Sequence, residues 1–250
     1  MDFSLDGKIA LITGGSRGIG RATALGFARA GADIAIAARK LPDLEETAGE
    51  IRELGRKALP VSAHVARMDD INNLVASVKE EFGRIDILVN GAGGNPTMAS
   101  ALEMDERAWD AGMNLNVKGL FFLSQAVARI MKEQGGGSII NIASAAGIRP
   151  NILPLYSIGK AAVIMATKVM ALEWAHYGIR VNAVALGLVK TRFSEALWGD
   201  KEVLEFLMQR VPLRRYAEPE EIVGTMLYLA SDASPFTTGA ILSVDGGETI

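Results

Sequence analysis

Tyr156 and Lys160 stand four residues apart in Tyr156-Ser157-Ile158-Gly159-Lys160, at the head of an apolar stretch that runs to His176. On a helix that spacing puts both side chains on one face. A free phenol has a pKa of about 10, too high for efficient proton transfer at neutral pH. A neighbouring ammonium favours the phenolate and lowers that value. Lys160 is therefore read as the activator of Tyr156, a general acid when a carbonyl is reduced and a general base in reverse. The same pair also arises by chance in many helices. Ser144 follows the run Ile139-Ile140-Asn141-Ile142-Ala143, which sets its hydroxyl at a strand's carboxyl edge, where it can hydrogen-bond a substrate carbonyl. The competing reading is a capping serine. Asn116 lies in a helical stretch, where asparagine is a mediocre helix former. It marks either a kink with a bound water or a solvent-facing position.

A second constellation opens the chain. Thr13-Gly14-Gly15-Ser16-Arg17-Gly18-Ile19-Gly20 follows the apolar Ile9-Ala10-Leu11-Ile12 and leads into the helix-like Arg21–Ala28. A strand that turns through glycines into a helix N-terminus gathers backbone N–H groups at the positive end of the helix dipole, a site for a pyrophosphate. A lone glycine repeat is weak, but the strand–turn–helix context is the one a dinucleotide site requires.

These residues need a scaffold that brings strand ends together. Seven short runs read as strands: Lys8–Thr13, Asp33–Ala38, Lys57–Ser62, Asp86–Asn90, Ser138–Ala143, Ile179–Ala185 and Ala240–Val244. Several are almost continuously apolar, the pattern of parallel strands buried on both faces. Helical stretches between them make right-handed crossovers. The expected fold is a single α/β domain over residues 1–250, a doubly wound parallel sheet of about seven strands with its ligands at the carboxyl ends. The segment 191–216 breaks the alternation and reads either as a substrate lid or as a plain packed helical pair.

Composition narrows the function classes. The chain has 250 residues, 49% hydrophobic and 22% charged, with a net charge of −3. No block of like charge points to nucleic acid or to an anionic membrane. There is no cysteine, which excludes disulfides and thiolate chemistry and fits a reducing compartment. His64 and His176 lack partners at ligand spacing, so no metal site is expected. Met1–Asp6 lacks the basic and apolar regions of a signal peptide, and no apolar run reads as long enough to span a bilayer. The expected setting is the cytoplasm.

Taken in order, the glycine run, Asn90-Gly91-Ala92-Gly93, Asn116, Ser144, Tyr156 with Lys160, Leu186-Gly187-Leu188-Val189-Lys190-Thr191 and the closing Val244-Asp245-Gly246-Gly247 resemble the short-chain dehydrogenase/reductase family along essentially the whole chain. The resemblance implies a Rossmann-like fold. It implies Tyr156 as acid/base, Lys160 lowering its pKa and holding the nicotinamide ribose, Ser144 orienting the carbonyl, and Asn116 keeping a water in the proton relay. It also implies a cofactor site made by Gly14, Ser16, Arg17, Gly18, Ile19, Gly20, His64, Val65, Asn90, Gly91 and Ala92, with Val189 and Thr191 at the nicotinamide carboxamide. Homotetramers are common in the family, and the apolar Ala161–Ala175 stretch suits a helix covered on both sides.

Charge selects the coenzyme. An acid about 20 residues past the glycines would favour NAD(H), whereas arginine suits a 2′-phosphate. Here Ala38-Arg39-Lys40 follows the second strand with no acid, and Arg17 sits in the glycine loop itself. Guanidinium forks match phosphate geometry, so NADP(H) is expected. Three positions depart from the family pattern. Gly91 replaces a second asparagine. Leu186 replaces a proline that would fix the backbone before Gly187. His64 replaces an aspartate and offers a neutral imidazole's single acceptor. The expected pocket lining is Ile148, Ile152, Leu153, Leu155, Phe193, Leu197 and Trp198, with Arg149 and Asn95 as polar anchors, a set suited to a hydrophobic ketone or aldehyde. The run Lys190–Ser194 with Leu197-Trp198 resembles a branch of carbonyl reductases. The alternatives are a 3-oxoacyl thioester reductase and, more distantly, a non-catalytic NADP-binding sensor.

Overall fold

Alternation within each strand dictates a three-layer body. In Ile9–Thr13 (β1), Ile9 and Leu11 face one core while Ala10 and Ile12 face the other. The same division runs through Asp33–Ala38 (β2), where Ala35 and Ala37 oppose Ile34 and Ile36. Both faces must then be covered, which the sequence achieves by following strands with helices. The computed structural model describes residues 3–250; Met1 and Asp2, included in the expected domain, lie outside the described residues.

The remaining strands are Ala58–Ser62 (β3), Ile87–Asn90 (β4), Gly137–Ser144 (β5), Ile179–Leu186 (β6) and Ile241–Val244 (β7). They form one sheet in the order β3-β2-β1-β4-β5-β6-β7, parallel throughout. Helices Gly18–Arg29 (α1), Leu41–Glu53 (α2) and, late in the chain, Val223–Ala230 (α9) bury their apolar stripes on one face. Met68–Phe82 (α3), Gly119–Glu133 (α5) and Pro154–Trp174 (α6) cover the other. Glu106–Met113 (α4) leads into α5 through a π-helical turn at Asn114–Lys118. All seven expected strands form, with ends shifted by a residue or so. β6 continues through Leu186, which pairs with Ser144 on one side and Val244 on the other. The segment 191–216 holds two short helices, Glu195–Trp198 (α7) and Lys201–Met208 (α8).

The register sets the site. Thr13 lies opposite Ala37 and Asn90, Asn90 opposite Asn141, and Ser144 opposite Leu186. The carboxyl ends of β1, β4, β5 and β6 thus share one rim. The order reverses between β1 and β4, the crevice where open α/β sheets take ligands.

One expectation needs correction. The helical stretch Pro154–Tyr177 is long and apolar enough, by length and composition, to cross a membrane. Its inner residues Leu155, Val163, Met170 and Ala171 are instead buried in the core, as is Lys160. A core helix under a two-sided sheet carries the same composition as a span.

Two glycines separate backbone necessity from tolerance. A Cβ on Gly20 would lie 2.2 Å from the Gly14 carbonyl oxygen, whereas one on Gly49, inside α2, meets nothing within 4 Å. Gly20→Ala is expected to destabilise the fold by about 1–3 kcal/mol through overpacking. Gly49→Ala should stabilise it by about 0.5–1 kcal/mol. Urea unfolding of both variants beside the wild type checks the pair of signs.

Candidate active site

The glycine loop folds back on itself and against its neighbours. Gly14 takes φ +73° and its missing Cβ would touch the Gly91 carbonyl at 2.9 Å. A Cβ on Gly91 would in turn sit 2.6 Å from the Thr13 carbonyl. The departure at Gly91 therefore allows a close backbone approach between the ends of β1 and β4. Thr13, to which the sequence reading gave no role, fastens the two. Its hydroxyl accepts from the N–H groups of Gly91 (3.1 Å) and Ala92 (3.2 Å). Gly18, at φ +54°, faces the Thr191 methyl, so the loop also abuts the segment after β6.

This loop fits a dinucleotide. Arg17 occupies the N-cap of α1 without a side-chain cap, and the first turn, Gly18-Ile19-Gly20, holds no acid. The opening N–H groups of a helix have no partners within it, and here they are left for an anion. α3, by contrast, fills its first turn with Asp69 and Asp70. Ser16 and Ile19 are half-buried beside the loop. The Arg17 and Arg39 side chains are exposed and enter no ion pair among the described residues. That leaves two guanidinium groups without an ion pair among the described residues, Arg17 in the loop after β1 and Arg39 just after β2.

His64 and Asn90 turn out to be engaged elsewhere. The His64 Nδ1 accepts from the Ala66 N–H at 3.2 Å, and its backbone N–H donates to Asp70 Oδ2 at 2.8 Å. The imidazole thereby shapes the turn into α3, and its acceptor is already used. Val65 is buried, with its carbonyl oxygen 2.3 Å from where a Gly119 Cβ would stand, so α5 starts close against it. Asn90 is buried too, and its Nδ2 donates to Ser124 Oγ (2.8 Å) and Asn141 Oδ1 (2.9 Å). Its amide joins the end of β4 to β5 and α5.

Asn116 sits in the π-helical turn, where the widened backbone turns its side chain inward. Its Nδ2 donates to the carbonyls of Gly112 (2.9 Å) and Gly94 (2.8 Å), and its Oδ1 accepts from Gly94 N–H at 3.0 Å. One amide thus satisfies both backbone groups of Gly94. Asn116 is buried rather than solvent-facing, its helix is irregular there as one reading expects, and its amide pins the loop after β4 beside Lys160.

At the centre, α6 carries Tyr156 and Lys160 to the rim of β5. The Lys160 Nζ donates to the Ile142 carbonyl at 2.6 Å and lies 5.6 Å from the centre of the Tyr156 ring. Burial holds its pKa down at about 8. The Tyr156 hydroxyl moves the other way. Burial raises it above its ordinary value, and the side chain of Ser144 partly offsets that rise. The expected lowering by Lys160 is therefore not the governing effect in the protein alone: desolvation outweighs the ammonium, because the phenolate would be an anion in a half-closed apolar site. The phenol is thus kept protonated, the form a general acid needs. The Ser144 Oγ accepts from Ala146 N–H at 3.1 Å, capping a short turn as one of its readings expects, and its side chain also lies beside Tyr156. Lys160 uses one donor of three among the described residues, leaving others for a ribose hydroxyl.

The segment after β6 closes over this centre. Val189 is buried and bridges to Ala217, while Thr191 and Ser194 cap each other's backbone. Phe193 packs 5.8 Å from the Tyr156 ring. Trp198, expected only as apolar lining, donates its indole N–H to the Thr191 carbonyl at 2.9 Å. Arg149 donates to the Glu248 carbonyl at 3.0 Å.

Residues 14–249 match a family model described as enoyl-(acyl carrier protein) reductase. The chain is 41% identical to the 2-dehydro-3-deoxy-D-gluconate 5-dehydrogenase of Escherichia coli (strain K12), covering 98% of this chain and 96% of that protein. It is 40% identical to the 3-oxoacyl-(acyl-carrier-protein) reductase FabG of Thermotoga maritima, covering 98% and 99%. Among solved structures, a short-chain type dehydrogenase/reductase from Mycobacterium marinum superposes with a TM-score of 0.94 at 42% identity, over 99% of this chain and 98% of that one. A gluconate 5-dehydrogenase from Burkholderia cenocepacia J2315, in complex with NADP and tartrate, gives 0.94 at 38% identity over 99% and 97%. Together with the Tyr156–Lys160–Ser144 centre at the rim of the parallel sheet, these likenesses make the chain an oxidoreductase that belongs to the short-chain dehydrogenase/reductase family.

Proposed function

We propose that the protein reduces a hydrophobic ketone or aldehyde to an alcohol with NADPH, and runs the reverse oxidation with NADP. The observation that carries this reading is the half-buried Tyr156 beside Ser144, with the Phe193 ring packed 5.8 Å from its own. The glycine loop and the α1 N-terminus would hold the pyrophosphate, Arg17 and Arg39 the 2′-phosphate, Lys160 the nicotinamide ribose, and Val189 with Thr191 the carboxamide. When bound, the coenzyme supplies the hydride. Tyr156 gives its proton to the carbonyl oxygen as charge develops there, and Ser144 orients that oxygen. Lys160 stabilises the phenolate left behind, and Asn116 holds the loop after β4 beside it. The segment 191–216 acts as the substrate lid, with Phe193 shutting out water.

The hydrophobic substrate class is supported by Ile148 and Ile152, exposed on the loop that joins Ser144 to Tyr156, together with Met98 and Phe193. A second reading, oxidation of a polyhydroxy acid, is favoured by the names of two similar proteins and by the exposed Arg149 on the same loop. The reading includes a homotetramer, in which the exposed Ile158, Met165, Val169 and Leu172 of α6 are covered by a second copy.

Three measurements test these roles. Purified protein offered hydrophobic ketones, a 3-oxoacyl thioester and a gluconate-type acid should turn over the ketones fastest. Tyr156→Phe should lower that rate by about 10²–10⁴-fold while NADPH still binds. Preference for the acid or the thioester would move the assignment to that class, and turnover surviving in Tyr156→Phe would overturn the acid role. The double change Arg17→Ala with Arg39→Ala should weaken NADPH binding by about tenfold or more, as expected for lost charged hydrogen bonds, with NADH binding little altered. The pH dependence follows from Lys160. The value of kcat/KM for NADPH reports the free enzyme, so it should be level below neutrality and fall as pH rises through about 8, where the ammonium discharges. A profile level to pH 10 would contradict it.

A further inference from the structure

The face of α6 that carries Lys160 continues two turns down to Thr167, and both residues hold neighbouring positions of β5. Lys160 binds the Ile142 carbonyl at 2.6 Å. One residue earlier, Asn141 donates its Nδ2 to Thr167 Oγ1 at 2.9 Å, and Thr167 passes its own hydroxyl to the Val163 carbonyl at 2.8 Å. The other end of the Asn141 amide accepts from Asn90 at 2.9 Å, and Asn90 reaches Ser124 at 2.8 Å. Four side chains thus join α5, β4, β5 and α6 in one line through the interior. Asn90, Ser124, Asn141 and Thr167 are all buried, the last three completely.

Apart from the Lys160 bond to Ile142, the packing of α6 around this line is apolar and non-directional. Val163, Met170 and Ala171 of α6 meet Val181, Ala183 and Ala185 of β6 and Ala143 of β5 within the same core, and small smooth side chains like these permit a helix to slide. Hydrogen bonds between buried amides and hydroxyls have one geometry, and a shift would strand their polar atoms without water. A single polar residue in an apolar seam can fix register in this way.

We propose that the Asn141–Thr167 hydrogen bond, with Asn90 behind it, is a positioning device that sets the place of α6 along β5 and so places Tyr156 and Lys160 against Ser144. The inference rests on the reading of Tyr156 and Lys160 as the acid and its partner. Thr167 bonds to Asn141 and to its own helix, so its loss should displace the proton donor and lower kcat by more than it weakens coenzyme binding, to which Lys160 contributes one contact. Misplacing a reacting group by an ångström is costly to the chemical step.

The test is Thr167→Val, which keeps the shape and deletes the hydroxyl, assayed with the best ketone found and with active sites counted by NADPH fluorescence titration. The expected result is a kcat at least tenfold lower, with a smaller loss of NADPH affinity than of kcat, and recovery of most of the rate in Thr167→Ser. Unchanged kcat per NADPH site, with only a lower melting temperature, would overturn the proposal and leave Thr167 a stability residue. Where Thr167→Val does not accumulate as folded protein, Thr167→Cys, near in size with a weaker donor and acceptor, is read by the same two quantities. Tyr156→Phe in the same assay keeps the two inferences apart: if it retains turnover, the acid assignment fails whatever Thr167 does.

Discussion

A buried ammonium is costly to keep charged, and the site is arranged around keeping Lys160 where it is. Its Nζ has the Ile142 carbonyl as its hydrogen-bond partner, and burial has already brought its pKa down to about 8. Removed from water, a lysine responds strongly to whatever else is placed nearby. Each neighbouring element supplies a neutral or directional constraint rather than a counter-charge. The loop after β4 is held by the Asn116 amide, the end of β5 by Ser144, and α6 by its bond to Asn141. No carboxylate appears among the causes of the Lys160 shift. A carboxylate there would stabilise the ammonium, and it would also raise the cost of a phenolate on Tyr156. The neutral surroundings leave the lysine's charge available to the reacting group.

The second constraint is the close approach of backbones where the strand order reverses. Gly14 and Gly91 each present a face on which a side chain would strike the other's strand, and the Thr13 hydroxyl bonds the two loops across the gap. This makes the floor of the crevice almost entirely main chain. Main-chain N–H groups carry fixed dipoles without the entropy of long side chains, which suits a site that must bind an anion. Arg17 and Arg39 then stand at the solvent edge, where a guanidinium keeps its hydration and loses little by waiting for a phosphate.

Strand identity was legible because a parallel strand covered on both faces is written as an unbroken apolar run, and Ile34-Ala35-Ile36-Ala37 or Ile139-Ile140 admits few other readings. Spacing put Tyr156 and Lys160 on one face and Ser144 at a strand end, but their grouping into one centre came from the family resemblance. What stayed hidden are properties that arise only when distant segments meet. Asn90 bonds residues 34 and 51 positions away, so no local pattern separates a cofactor-facing asparagine from an interior one. The direction of the Tyr156 shift depends on burial, and the ring packed against Tyr156, Phe193, lies 37 residues further on, counting from Tyr156 to Phe193. The π-helical turn had one sequence signal, an asparagine in the middle of a helix.

The segment between β6 and α9 shows how a closing element can be fixed at its ends and still differ from the sheet it covers. Val189 bridges Ala217, Lys190 N–H donates to the Ala217 carbonyl, and Ala217 N–H donates to Leu188, so the two ends run side by side. Lys190 adds a side-chain clasp: its ammonium lies 5.6 Å from the Trp198 ring, 5.5 Å from the Tyr216 ring and 3.6 Å from Glu218. Glu218 first, and then Tyr216, hold its pKa above the ordinary lysine value. The clasp is exposed and contributes little to stability on its own. Its effect is geometric, since it joins the first helix of the segment to the segment's return. Phe193 lies just inside that joined base, so its position over Tyr156 is set by the strand ends rather than by the outer helix α8.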